Sequence, residues 1–230
     1  MSLLLEARNL DKNFPRAGGM VEVLRDCQFQ LSEREAVAVT GPSGSGKSTF
    51  LNILGGLDSP SAGEVLLAGE PLDMADHAAM ARWRSLGVGF VFQFHFLLPD
   101  FTALENLLIP VRGRGKVAAG DRARALDFLE VMGLADRARH LPGELSGGEQ
   151  QRVAVARAFM NRPRVVLADE PFGNLDREIG GRLGDMLFAL REQEGTALVI
   201  VTHDRRLAER ADRSLHLQDG RLLPDGEGAS

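Results

Sequence analysis

Short unbroken apolar runs punctuate the chain, and each ends on a polar or glycine-rich segment. Ala36–Thr40 runs into Gly41, Val88–Phe92 into Gln93, Val165–Ala168 into Asp169 and Glu170, and Ala197–Thr202 into His203. Runs of this length without alternation predict strands buried on both faces of a parallel sheet. Ligands collect beyond the carboxyl ends of such strands, where these polar residues stand. The amino-terminal part reads differently. Residues 3–10, 21–31 and 64–70 predict strands of a smaller, mostly antiparallel sheet. Leu215–Leu223 predicts a late hairpin turning at Asp219-Gly220. Residues 102–160 predict helices; Ala125, Leu126, Leu129 and Met132 recur at helical spacing. Pro224–Ser230 reads as a frayed end. No internal repeat is found. The fold class expected is α/β.

Composition narrows the picture. With 230 residues, 44% hydrophobic and 26% charged, the chain can build one large core without a disulfide or metal staple. Cys27, the only cysteine, lies in the largely alternating segment Val21–Leu31 and is expected in the core of a strand. A lone thiol points weakly to a reducing compartment. A net charge of −5 argues against a general nucleic-acid binder, which needs a basic face. The short run Arg112-Gly113-Arg114-Gly115 reads as a solvated loop rather than an RNA-binding tract. No apolar run reaches membrane-spanning length, and the first residues lack the pattern of a secretory leader. Work at a membrane would need another chain to hold this one there.

The candidate chemistry begins at Gly41-Pro42-Ser43-Gly44-Ser45-Gly46-Lys47-Ser48, followed by Thr49, which matches the P-loop pattern. Glycines let backbone amides turn inward around phosphate oxygens. Lys47 supplies charge for the terminal phosphates, and Ser48 a hydroxyl for Mg²⁺. The loop opens a helix over Ser48–Leu54, whose dipole favours an anion. Asp169, at the end of its strand, suits Mg²⁺, and the neighbouring Glu170 suits polarisation of an attacking water.

At Leu145-Ser146-Gly147-Gly148-Glu149 the sequence resembles the signature of ABC ATPases, with Glu149 where Gln is commoner. Gln150–Ala158 looks like the helix that follows it. Gln93 matches that family's Q-loop, Asn174-Leu175-Asp176 its D-loop and His203-Asp204 its switch histidine. The resemblance implies one ABC ATP-binding domain over residues 1–230. Its P-loop NTPase core would carry a small antiparallel β subdomain and a helical subdomain inserted at roughly 94–160. It implies ATP and Mg²⁺ as cofactors, with the metal near Ser48, Gln93 and Asp169. Glu170, His203 and Gln93 would serve hydrolysis, and Phe14 would stack on adenine. Ser146, Gly147, Gly148 and Glu149 would form a second nucleotide half-site that closes on the partner's ATP in a head-to-tail homodimer. Free amides, a hydroxyl and a helix dipole give that half-site a physical basis.

Phe90–Pro110, Leu54–Asp58 and Leu167–Asp176 resemble the LolD/MacB/FtsE-like branch, closest to the ATPases of lipoprotein-releasing complexes. Phe172 replaces the usual threonine there, and Phe96 stands where His is expected. The branch implies a peripheral ATPase on the cytoplasmic side of the bacterial inner membrane. It would bind integral permease subunits of LolC/LolE type through a cleft near Phe94–Phe101, and drive lipoprotein release by mechanotransmission. MacB-like export and FtsE-like cell-division roles are the alternatives within the branch. A nucleic-acid-associated ABC ATPase is the alternative from another class; the long coiled-coil insertions or second ATPase domain of such relatives are missing, and no nucleic acid is expected. A simple nucleotide kinase would leave the signature unexplained.

Overall fold

The structure is a computed structural model that describes residues 2–16 and 18–224. The chain opens with β1 (Leu3–Arg16), β2 (Gly19–Ser32) and β3 (Ala36–Thr40), then α1 (Lys47–Leu54). Next come β4 (Ala62–Leu67), β5 (Glu70–Pro71), α2 (His77–Gly87) and β6 (Val88–Phe92). A helical stretch follows, with α3 (Ala103–Arg112), α4 (Ala119–Val131) and α5 (Gly147–Phe159). The chain closes with β7 (Val165–Asp169), α6 (Arg177–Glu194), β8 (Ala197–Val201), the short α7 (Arg205–Ala208), β9 (Arg213–Gln218) and β10 (Arg221–Pro224).

The strands form two sheets. One is antiparallel, in the order β2-β1-β4-β5; the other runs β10-β9-β3-β8-β7-β6 and is parallel except for β10. All four apolar runs become neighbouring strands of the second sheet, as their lack of alternation requires. Alternate side chains of these strands enter different cores. Val37, Val39, Leu167 and Val199 pack with α1 and the antiparallel sheet on one face. Ala36, Ala38, Val166, Ala168 and Ile200 pack with α3, α5 and α6 on the other. Fully burying one such Val or Leu contributes about 1.5–3 kcal/mol. The sheet is therefore the rigid platform beneath everything at its carboxyl edge.

The amino-terminal strands differ from expectation in extent. β1 and β2 each span 14 residues, because their pairing continues through register shifts near Ala7–Asn13. Asn9 and Asp26 take positive φ there, at 48° and 47°. Such bulges break strict alternation, so a period-two reading stops short of the real ends. Residues 64–70 do not make one strand. Ala68 and Gly69, at φ 48° and 85°, form a tight turn that pairs β4 with β5 at Leu67 and Glu70.

The late hairpin turns at Asp219-Gly220, both at positive φ. The Gly220 carbonyl accepts from the Arg25 amide at 2.8 Å and lies 3.0 Å from the buried Cys27 Sγ. The turn thus joins the two sheets, and Cys27 sits in the core of β2. Pro224 pairs with Leu215; the rest of the segment expected to fray, residues 225–230, lies outside the described residues.

Candidate nucleotide site and signature face

The P-loop joins β3 to α1. Gly41 has φ 143°, and a Cβ there would come within 2.3 Å of the Leu217 carbonyl oxygen, so the position needs glycine. Gly46, the N-cap of α1, lies at φ 101° and supplies no side-chain cap. The first amides of α1 therefore point outward unpaired, with the positive end of the helix dipole behind them. Lys47 Nζ donates back to the carbonyls of Gly41 and Pro42 at 3.0 and 2.8 Å. Ser45 Oγ is buried without a hydrogen-bond partner among the described residues. The loop lines a cavity of about 660 Å³ with Ser43, Gly44, Ser48 and Thr49, and Gln93, Glu170 and His203 form its far wall.

That far wall stands at the carboxyl ends of β6, β7 and β8, as the apolar-run pattern requires. Asp169 ends β7 half-buried, with Oδ1 enclosed and without a hydrogen-bond partner among the described residues. Burial pushes its carboxyl above the usual aspartate range, and the Glu170 charge adds to the rise; Ser48 and Lys47 act the other way. Glu170 sits at φ 44°, yet its amide continues the sheet ladder to the Val201 carbonyl at 2.9 Å. Its Oε2 lies 2.8 Å from His203 Nδ1. Gln93 Nε2 donates to Asn174 Oδ1 at 2.9 Å. The Asp169 carboxyl, with one enclosed oxygen and the Ser48 hydroxyl beside it, offers hard oxygen donors that fit a divalent cation such as Mg²⁺.

Phe14 lies near the tip of the β1–β2 hairpin, paired with Val21 and partly exposed. Its ring carries the Lys12 ammonium 4.8 Å from the centroid, and Lys12 also bonds Asp58 Oδ1 at 2.7 Å. Phe14 does not line the P-loop cavity.

The signature forms a separate opening. Ser146 caps α5 in a capping box. Its amide and hydroxyl donate to Glu149 Oε2 at 2.8 and 2.7 Å, and its hydroxyl accepts from the Glu149 amide at 3.3 Å. The Ser146 amide and hydroxyl hold the Glu149 carboxyl below the usual glutamate range, and Arg137 Nε stands 3.3 Å away. Glu149 is therefore folded back onto the cap. Ser146, Gly147 and Gly148 line a cavity of about 750 Å³ with Asn174, Leu175 and Asp176. This cavity and the P-loop cavity share no lining residue.

Several residues that matter here escaped the sequence reading. Gln151, buried on α5, donates to the carbonyls of Phe92 and Pro171 at 2.8 and 2.6 Å, tying the signature helix to the ends of β6 and β7. Arg157 donates to the carbonyls of His95 and Phe96, both at 2.8 Å. Asn106, fully buried on α3, accepts from the Leu98 amide at 2.8 Å and donates to the carbonyls of Leu98, Phe101 and Thr102. Buried amides at polar spacing look like surface residues in a sequence; only their contacts distinguish them.

The segment after Gln93 divides. Phe94, Phe96 and Leu98 are 62%, 60% and 43% exposed, whereas Leu97 is 7% exposed and belongs to the helical core. A charge at Leu97 is therefore no clean probe of a surface, although the residue lies within the stretch Phe94–Phe101 expected to form the cleft.

A strand–glycine loop–helix phosphate cradle in one parallel sheet with a strand that ends on a pair of carboxylates defines a P-loop nucleoside-triphosphatase. A family model described as "ABC transporter" matches residues 24–173. The chain belongs to the ABC transporter family and is an ATP-binding ATPase domain of it. It is 39% identical to the structure titled "Dimeric Structure of MJ0796, a Bacterial ABC Transporter Cassette", over 95% of this chain and 96% of that one, with a TM-score of 0.87. It is 38% identical, with the same coverage and TM-score, to a dimeric post-hydrolysis state of MJ0796 bound to ADP and Pi. A match to cbiO1 of Clostridium perfringens, described as part of the ABC transporter complex cbiONQ, has 23% identity and a TM-score of 0.84 over 97% of this chain and 88% of that one. That last likeness concerns the fold alone. Among the described residues, no helix is long and apolar enough to cross a membrane.

Proposed function

We propose that two copies of this chain pack head to tail, so that each P-loop's ATP is closed by the signature of the other copy. The observation that carries this reading is the pair of anion-suited helix N-termini, at α1 and α5, opening into separate cavities of one chain. The dimeric MJ0796 cassettes support it by similarity. Gly41–Thr49 hold the phosphates, and Lys47 turns from its own loop carbonyls to them. Ser48, Asp169 and Gln93 are the residues that would hold Mg²⁺, which when bound supplies positive charge to the phosphate oxygens. Glu170 orients the attacking water, and His203, already 2.8 Å from Glu170, bonds the water and the terminal phosphate. Phe14 offers a ring face to adenine. Ser146, Gly147 and Gly148 meet the partner's nucleotide, with Glu149 bracing their cap.

The partner reading follows from the same chain. Residues 94–160 act as an inserted helical subdomain, and the exposed Phe94, Phe96 and Leu98 receive an integral permease subunit at the membrane's cytoplasmic face. The run Phe90–Pro110 favours LolC/LolE-like subunits and lipoprotein release from the inner membrane. Phe172, at the position of the departure, is buried in the helical core and packs by Gly180 of α6.

Complementation tests the composite site. Ser146→Arg should keep ATP binding at its own P-loop but fail to close on a partner, and Lys47→Ala should fail at the other half. Each alone should be inactive in the membrane complex, while their mixture should form at most one intact composite site. Normal hydrolysis by Ser146→Arg alone would refute the signature role.

A further inference from the structure

Gln93 lines the P-loop cavity and Asn174 lines the signature cavity. Among the described residues, the side-chain hydrogen bonds that join these two linings all belong to this one pair. Gln93 Nε2 donates to Asn174 Oδ1 at 2.9 Å, and Asn174 Nδ2 stands 3.5 Å from the Gln93 carbonyl oxygen. The direction of the first bond matters. A side-chain amide has an oxygen end and an NH₂ end of nearly the same shape. A hard divalent cation takes the oxygen and is repelled by the NH₂ group. Left free, the exposed Gln93 could turn either end to the cavity. An acceptor oxygen on Asn174 holds only the NH₂ end, which leaves Oε1 as the end free to face a metal.

We propose that Asn174 is a positioning residue that orients the Gln93 amide, reserving its oxygen for the metal that accompanies ATP. The inference rests on the reading of Gln93 as a metal ligand. Asn174 acts through Gln93 without touching nucleotide or metal, as the outer partners of metal ligands generally do. Its neighbours give it the stability to do so: Gln151 secures the Phe92 carbonyl just before Gln93, and the Pro171 carbonyl just before the Asn174 turn.

The test titrates Mn²⁺, followed by electron paramagnetic resonance, into the chain saturated with a non-hydrolysable ATP analogue. Thermal unfolding of each variant is recorded alongside. Asn174→Ala should weaken Mn²⁺ binding about tenfold, at the low end of the range for outer-shell partners. Gln93→Ala should weaken it comparably, and the double variant should be no worse than Gln93→Ala alone. Asn174→Asp keeps an acceptor for the Gln93 NH₂ and should retain parent-like binding. If Gln93→Ala binds Mn²⁺ like the parent, the metal-ligand reading fails and the inference falls with it. If Gln93→Ala weakens binding while Asn174→Ala does not, only the positioning role is overturned. Loss of binding in Asn174→Asp equal to that in Asn174→Ala also overturns it, since the acceptor would then be irrelevant.

Discussion

Glu170 holds a backbone conformation that side chains seldom adopt, at φ 44°. Left-handed φ at a non-glycine residue costs on the order of 1 kcal/mol. The bend is what lets its carboxylate leave the sheet and meet His203 at 2.8 Å, while Asp169 one residue earlier stays half-buried at the strand end. Two adjacent carboxylates thus face different surroundings, which suits different tasks. Glu170→Gln keeps the shape and removes the carboxylate proposed to orient the attacking water; turnover should fall about 10²–10⁴-fold, the usual worth of a positioned acid–base group. Nucleotide binding and ATP-driven dimerisation should persist, and a steady-state assay with the membrane partner present reads the difference. Asp169 carries the opposite liability. Its pKa is raised in the folded chain by burial and by Glu170, so the native state binds its proton more tightly than the unfolded state does. Stability therefore falls as pH rises from the ordinary aspartate value through the raised one, and at neutral pH the ionised group is a net cost. Asp169→Asn should raise the melting temperature of the nucleotide-free chain at pH 7, with the gap closing in acid. An unchanged or lower melting temperature at pH 7 would show that the carboxylate is not a burden there.

At the scale of elements, the parallel strands were legible because double-sided burial leaves unbroken apolar runs, and the polar residue ending each run marked the site. β1 and β2 were under-read because bulges at Asn9 and Asp26 interrupt alternation without ending the ladder. The Gln93–Asn174 bond was illegible, since 81 residues separate its partners and no local pattern announces it. The segment after Gln93 was half legible: an aromatic run could be core or surface, and only packing sorts one from the other. Leu97 belongs to the helical core, where an unpaired carboxylate costs several kcal/mol even before its pKa shifts. Leu98 and Phe94 project outward. Leu97→Glu should accordingly lower the unfolding temperature sharply and take membrane-subunit binding with it. Leu98→Glu and Phe94→Glu should fold, bind ATP and lose the subunit in a pull-down. Parent-like pull-down by both surface variants would remove the docking assignment.

At the scale of the whole molecule, the sheet order decides how the parts depend on one another. β3, the strand that presents the P-loop, lies between β8 and β9. Its ladder bonds run to Leu198–Val201 on one side and Arg213–His216 on the other. The phosphate cradle is encoded near the start of the chain, and the walls that hold it are encoded near the end. On a ribosome, residues 41–196 must all be added before β3 meets either neighbour. At about 5–20 residues per second that wait is on the order of ten seconds. For that interval an apolar strand with unpaired amides on both edges stands ready to join any other open strand, including one on a neighbouring nascent chain. ATP can give no early help, because the cradle it would bind does not yet exist. The domain thus ripens late in translation, and its vulnerable period is set by the length of chain between β3 and β8 rather than by the stability of the finished protein.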